Sequence, residues 1–389
     1  MKKNLEKRLK SLNVVISSHV SVSGPALDLE EYMKDKVRGL LFIGHPFSSM
    51  KGKPSFYRNY KNGEFKKEYT GLNWKPPEIL AYLKEAVCTF LWVLKMEGNV
   101  DLYIGSDNFL AYLGLILKRL RKVKRVVFYT IDYVPNRFAN SFLNKLYHFF
   151  DRQSVKKADI VWNLSEKIAE ARKDYQGLEG DSLAEQIVVP VGIWLERTEK
   201  NQKTKRDRNQ IVFLGHLIKK QGLQVVIDAM VRVSRKFPKA KLVVIGTGQY
   251  EQALKRRVRK NKLQRKVLFL GFIEDHRQVE KELAKSSIAV ATYVPAPGSF
   301  AYFADPGKVK SYLAAGLPVV LTDVPQIAKD LEKKKCGLIT NYDAASVSKK
   351  LEDLLGDRTK LCKYSDNALK YASNFDWNKI FENALENSI

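Results

Sequence analysis

At 389 residues the chain is too long for one ordinary domain, and two are the natural expectation. A composition of 45% hydrophobic, 28% charged and 11% aromatic residues excludes a disordered chain and supplies each half with a core. Lys and Arg outnumber Asp and Glu by 68 to 42, a formal net charge of +26. That charge bears on partners rather than on fold: nucleic acid, an anionic membrane surface, a phosphate-bearing substrate, or simply a solvated basic surface.

The opening MKKNLEKRLKSLNVVISS is basic but has no apolar segment or cleavage site, so no secretory signal is expected. The longest apolar stretches, near Cys88–Val93 and Phe109–Leu117, stop well short of the ~18 residues a membrane span needs. Cys88, Cys336 and Cys362 are far apart and show no CxxC spacing. No zinc site and no disulfide framework are expected, and a reducing cytoplasmic compartment fits.

Continuous apolar runs, the pattern of parallel strands buried on both faces, predict strands at 13–17, 39–43, 101–105, 125–130, 159–163 and 187–190. Helical patterns lie between them at 77–94, 109–121 and 140–157. The polar, charge-dense run ERTEKNQKTKRDRN at 196–209 reads as a linker after a first domain of residues 1–195. The second domain, 210–372, alternates more clearly. Strands are predicted at 211–215, 241–246, 266–271, 287–293, 318–322 and 336–340, and helices at 222–237, 250–260, 275–285, 307–315, 327–333 and 344–356. Such alternation defines a doubly wound parallel sheet, whose ligands bind beyond the carboxyl ends of the strands. Two such domains would face one another across a cleft. The last segment, 373–389, starts a new helix with Asp376 as its cap and Ile380, Phe381 and Leu385 in one stripe.

Three loops carry the chemistry. Gly246-Thr247-Gly248 joins strand to helix, where glycine admits a ligand's close approach and the helix terminus favours an anion; a tight turn needs glycine in any case. Gly215-His216-Leu217-Ile218-Lys219-Lys220-Gln221-Gly222 brings lysines to a helix start, as a pyrophosphate site or as a solvated basic loop. In the third, Pro306-Gly307 opens a helix with Lys308 in its first turn, where the dipole disfavours a cation unless it neutralises a bound phosphate. A helix, Ala314-Ala315-Gly316 and the strand LPVVLT follow.

In this order and spacing, FLGHLIKKQG, VVIGTG, VLFLGF and KVKSYLAAGLPVV resemble the retaining GT-B glycosyltransferases of family 4, the glycosyl transferases group 1. About 150 C-terminal residues carry the resemblance. The first half matches more loosely through Ser23-Gly24-Pro25, ADIVWNLS (158–165), VVPVGI (188–193) and WNKIFENAL (377–385), which looks like the helix returning to the N-terminal domain. The resemblance implies two Rossmann-like domains and metal-independent transfer of a sugar, with retention, from a nucleotide-sugar to a glycan or lipid-linked acceptor. The nucleotide-sugar is a substrate, and no cofactor is implied. No DxD metal motif appears.

The family places two glutamates eight residues apart; those positions here are Phe303 and Ser311. The usual Arg and Lys of its phosphate loop are His216 and Gln221, with Lys220 one residue earlier. The resemblance therefore implies donor contacts at Gly24, His216, Lys220, Gly246, Gly248, Phe272, Lys308 and Ser311. It implies catalytic roles for Lys308, for Asp305 as a shifted carboxylate, and for Asp132 at a strand end; Asp132 equally suits a turn cap before Pro135. His19 and His45, beyond strand ends, fit loop packing better than base catalysis. The missing glutamates motivate a second reading, a non-catalytic GT-B protein that binds a sugar or partner.

The basic, partly apolar segments Leu115–Arg125 and Asn140–Lys157 suit either an anionic membrane's inner face or packing with a solvated basic side. A nucleic-acid partner is not expected, because no recognition motif accompanies the charge.

Overall fold

The computed structural model describes residues 2–21, 24–47, 53–71, 73–74, 77–198, 206–296, 300–303 and 305–389. Ser23 of the first glycine loop, residues 199–205 of the expected linker and Ala304 lie outside the described residues. The chain forms two compact units, Met1–Pro190 with Trp377–Ile389, and Val191–Asp376.

The first unit holds strands β1 (Asn13–Val20), β2 (Gly39–Pro46), β3 (Phe56–Lys61), β4 (Glu64–Thr70), β5 (Val100–Gly105), β6 (Val123–Thr130), β7 (Ile160–Asn163) and β8 (Gln186–Val188). Their order is β4-β3-β2-β1-β5-β6-β7-β8. Runs such as Val14-Val15-Ile16 and Val126-Val127-Phe128 are wholly buried, which is why they carry no polar alternation. The sheet is not wholly parallel as expected: β2, β3 and β4 pair antiparallel, and the last two were not among the predicted strands. Every residue of β4 is exposed, so no apolar run marks it. Its signal is the turn Asn62-Gly63, both with positive φ, the Asn-Gly link of a tight hairpin.

The second unit holds β9 (Gln210–Leu214), β10 (Lys241–Ile245), β11 (Val267–Gly271), β12 (Ile288–Ala291), β13 (Val319–Thr322) and β14 (Gly337–Thr340). All pair parallel, in the order β11-β10-β9-β12-β13-β14, the strand order of a dinucleotide-binding sheet. Each lies within two residues of its predicted run. The winding reverses between β9 and β12 here and between β1 and β5 in the first unit, so each unit has one reversal at which a ligand crevice forms.

Residues 191–195, assigned to the first domain from sequence, fold with the second unit. The Val191 N–H donates to Asp305 Oδ2 at 2.8 Å and the Ile193 N–H to the Phe375 carbonyl at 2.8 Å. The helix Trp377–Glu386 belongs to the first unit. Trp377 and Phe381 stack with centroids 4.5 Å apart, Phe381 meets Tyr32, and the Trp162 indole donates to Ser388 Oγ at 3.0 Å. No helix among the described residues is long and apolar enough to cross a membrane.

Because Phe381 is fully buried in this seam, Phe381→Ala is expected to cost about 3–5 kcal/mol of unfolding free energy in a urea titration. A loss below about 1 kcal/mol would mean that the returning helix does not complete the first core.

Candidate functional site

The helix Gly307–Ala314 starts at Pro306 and has no acidic residue in its first turn. Tyr312, buried, fixes it to the sheet. Its hydroxyl accepts the Leu214 N–H at 2.7 Å and lies 3.4 Å from the carbonyls of Leu214 and Val290. Leu214 ends β9 and Val290 lies in β12, so this one side chain pins the helix across the reversal of the second sheet.

One turn earlier, on the same helix face, stands Lys308. Its ammonium donates to Gln221 Oε1 at 2.6 Å and sits 4.6 Å from the ring centroids of both Phe213 and Tyr293. Among the described residues no carboxylate pairs with it. Burial pushes its pKa down from 10.5 to about 7. Enclosure between aromatic faces offsets only part of the desolvation of a cation. Gln221 occupies the position where the family has lysine, so the ammonium reaches that position from another helix.

The surrounding loops are in backbone contact. Gly222 has φ +76°, and a Cβ there would stand 1.5 Å from the Thr292 carbonyl oxygen. At Gly246 a Cβ would stand 2.1 Å from the Gly215 carbonyl oxygen, and at Gly248 2.4 Å from that of Leu217. These glycines admit the adjoining loop, which settles the need for glycine without a ligand. The same packing presses the loops after β9, β10 and β12 together around Lys308. His216 and Lys220 are exposed on the loop after β9, and Phe272 is 60% exposed just past β11.

Asp305 is engaged at both oxygens, by Lys310 Nζ at 2.9 Å on Oδ1 and by the Val191 N–H on Oδ2. Lys310 also lies 3.6 Å from the Phe375 ring centroid. This nearly buried ion pair clamps the segment entering the helix. Ser311 spends its hydroxyl within the helix, donating to the Gly307 carbonyl at 3.3 Å, and Phe303 is half-buried.

Gly24 and Asp132 lie in the first unit. Gly24 caps the helix Pro25–Met33, with open space where a Cβ would project. Asp132 is 58% exposed and pairs with Arg137 Nη1 at 2.8 Å.

A cluster that sequence reasoning missed lies at the reversal of the first sheet. His19, near the end of β1, is held at Nδ1 by Asp107 (2.5 Å) and at Nε2 by Glu85 (3.0 Å). Burial opposes its charge, but the pull of Asp107 and Glu85 outweighs burial and raises its pKa to about 10. Asp107 also caps the helix Asn108–Arg119 by accepting the Leu110 N–H, and that capping position was its legible signal. His45 is a packing residue, buried between Ser55 and Thr89, and burial lowers it to about 3.

Taken together, the chain comprises two doubly wound units, the second with Lys308 buried at its sheet reversal. Residues 208–357 match the family model for glycosyl transferases group 1. No curated protein matches the chain by sequence. Sucrose-phosphate synthase from Thermosynechococcus elongatus superposes with a TM-score of 0.72 at 14% identity, over 96% of this chain and 97% of that one. Anabaena HepE in complex with UDP gives 0.69 at 16% identity, over 96% and 99%. An E. coli trehalose-6-phosphate structure bound with UDP-2-fluoro glucose gives 0.69 at 16%, over 97% and 99%. These likenesses establish the GT-B fold.

Two opposite pH dependences follow. The folded pKa of Lys308 lies below its unfolded value of 10.5, so its burial penalty is full below pH ~7 and fades as pH rises toward 10.5. Lys308→Met is expected to stabilise the protein by about 1–3 kcal/mol at pH 6, with the gain shrinking as the pH rises, in denaturant titrations. The folded pKa of His19 lies above its unfolded value, so its stabilisation is full below pH 6.5 and is lost as pH rises through about 10. The destabilisation caused by His19→Gln should therefore be largest near pH 6 and shrink toward pH 10; a constant penalty would refute the clamped imidazolium.

Proposed function

We propose that the chain is a glycosyltransferase that moves a sugar, with retention, from a nucleoside-diphosphate-sugar to a glycan or lipid-linked acceptor. The observation that carries this reading is the ammonium of Lys308, enclosed at the reversal of the second sheet with no carboxylate partner among the described residues. A diphosphate supplies the missing charge, and the amino end of the Gly307–Ala314 helix adds favourable dipole. Lys220 extends the positive field along the loop after β9, where His216 offers a ring N–H, and Phe272 offers an exposed ring just past β11 for a nucleobase.

In transfer, the bond between the anomeric carbon and the diphosphate oxygen breaks and its electron pair stays on the diphosphate. Lys308 stabilises that developing charge without a metal ion. The acceptor oxygen bonds to the anomeric carbon, and its proton passes to the departing diphosphate. This route suits a site in which Phe303 and Ser311 replace the family's glutamates and Asp305 is already paired. The second reading, a GT-B protein that binds a nucleotide-sugar without turnover, is favoured by those same replacements.

Binding should recharge the lysine. Titration with UDP at pH 8 in buffers of differing ionisation enthalpy is expected to show uptake of up to one proton per site, and Lys308→Met is expected to abolish both the proton uptake and the thermal stabilisation by UDP. UDP binding unchanged in Lys308→Met would overturn the site. Binding that depends on Lys308, without sugar transfer to any acceptor, would leave only the second reading.

A further inference from the structure

The helix Glu78–Leu94 has an unusual outer face. Leu80, Leu83, Val87, Leu91 and Leu94 are 43%, 60%, 49%, 50% and 51% exposed. From Leu80 to Leu94 they are the exposed residues of the helix, and all are aliphatic. Their spacing of three and four residues places them in one stripe along about four turns, roughly 20 Å. The inner face is separately satisfied: Trp92 and Val93 are buried in the core of the first sheet, and Glu85 holds His19. A solvated helix face normally carries charge, and a contiguous aliphatic stripe of this length marks an interaction surface.

The surroundings identify the occupant. Trp74 is 55% exposed, and its carbonyl accepts from Lys84 of this helix at 3.1 Å, which ties an exposed tryptophan to the helix. On the other side an aromatic seam links three helices. Tyr82 meets Phe109 at 5.3 Å, Phe109 meets Phe150 at 5.3 Å, and Tyr112 meets Phe150 at 5.0 Å. Of the two further helices, Asn108–Arg119 and Ser141–Lys157, the second carries exposed Phe142 and Phe149, and both end in basic turns. Between Leu115 and Arg125 six of eleven residues are Lys or Arg and none is acidic. An aliphatic stripe flanked by exposed aromatics and lysines is the make-up of a surface that lies on an anionic bilayer. A second copy of the chain is the poorer fit, because each copy would bring +26 to the contact.

We infer that the Glu78–Leu94 helix is the lipid-facing element of the first unit. It seats the protein on anionic membrane with Leu80, Leu83, Val87, Leu91 and Leu94 in the acyl boundary, and basic residues of the two neighbouring helices on the headgroups. The α-helices Asn108–Arg119 and Ser141–Lys157 thus supply charge and aromatic rim, while the apolar insertion comes from the helix expected at 77–94, which the sequence had not marked as membrane-facing. The inference stands apart from sugar transfer, since its readout involves no nucleotide.

The test is sedimentation of the full chain with phosphatidylcholine vesicles, with and without about 30% phosphatidylglycerol. The wild type is expected to bind the anionic vesicles and to be released by high salt. Leu83→Gln with Leu91→Gln should lower partitioning at least about tenfold while circular dichroism and UDP binding stay unchanged. A neutralised rim, Arg119→Gln with Arg121→Gln, Lys156→Gln and Lys157→Gln, all exposed, should lower it too and flatten the salt dependence. Equal binding by wild type and the double variant, or no binding to either vesicle, overturns the inference. So does a concentration-dependent dimer in analytical ultracentrifugation that the double variant abolishes, which would assign the stripe to a second copy.

Discussion

A lysine enclosed between aromatic rings, with no carboxylate partner among the described residues, is the constraint around which the second unit is organised. Lysine is rarely retained in such a place, because burial favours its neutral form and a methionine of similar length would pack at lower cost. The structure holds it there with several independent devices. Tyr312 ties its helix to β9 and β12, the Asp305–Lys310 pair clamps the approach to that helix, and Gly222 lets the loop after β9 touch the end of β12. Phe213, Tyr293 and Gln221 then fix the ammonium from three sides. Rigidity of this kind serves a ligand whose charge must be met at one position, as preorganised electrostatic sites do.

Much of this fold was legible in the sequence, for a physical reason. Strands buried on both faces must be apolar throughout, so β9 to β14 stand out as runs between polar turns. β4 is an exposed edge strand and β3, beside it, is half-buried with mixed faces; only Asn62-Gly63 betrays them. The helices Lys2–Leu9, Glu166–Gln176 and Arg358–Ala372 were also not predicted, and their charge-rich sequences explain it: in the second of them only Ile168, Ala171 and Arg172 are buried. The burial of Arg172 itself depends on Asp151, Asn163 and Thr130, which converge from three other elements. No local pattern announces that.

The site was legible one residue at a time. Lys308 at a helix start, and glycines after strands, are patterns along the chain. The meeting of Lys308 with Gln221 is a relation between two helices and has no linear trace. It changes the meaning of the departure at Gln221: the charge absent from the loop is supplied from the Gly307–Ala314 helix instead. The glycines run the other way. At Gly246 and Gly248 the missing side chain makes room for carbonyls of the neighbouring loop, a packing role that needs no ligand. Asp305, expected as a shifted carboxylate, gives both of its oxygens to holding the site's framework.

The two sheet reversals carry opposite charge arrangements, and that asymmetry argues for a division of labour. At the reversal of the second sheet Lys308 has no carboxylate partner among the described residues, so a phosphate there would gain a partner. In the first unit His19 already has Asp107 and Glu85, and together the three groups carry a net negative charge. A phosphate entering there would displace existing pairs and face a carboxylate, at a cost of several kcal/mol in a site of low dielectric. Neutral hydroxyls meet no such penalty, since carboxylates accept their hydrogen bonds readily. On electrostatic grounds an anion is met at lower cost at the reversal of the second sheet than at that of the first, although the sheets themselves are built on the same plan.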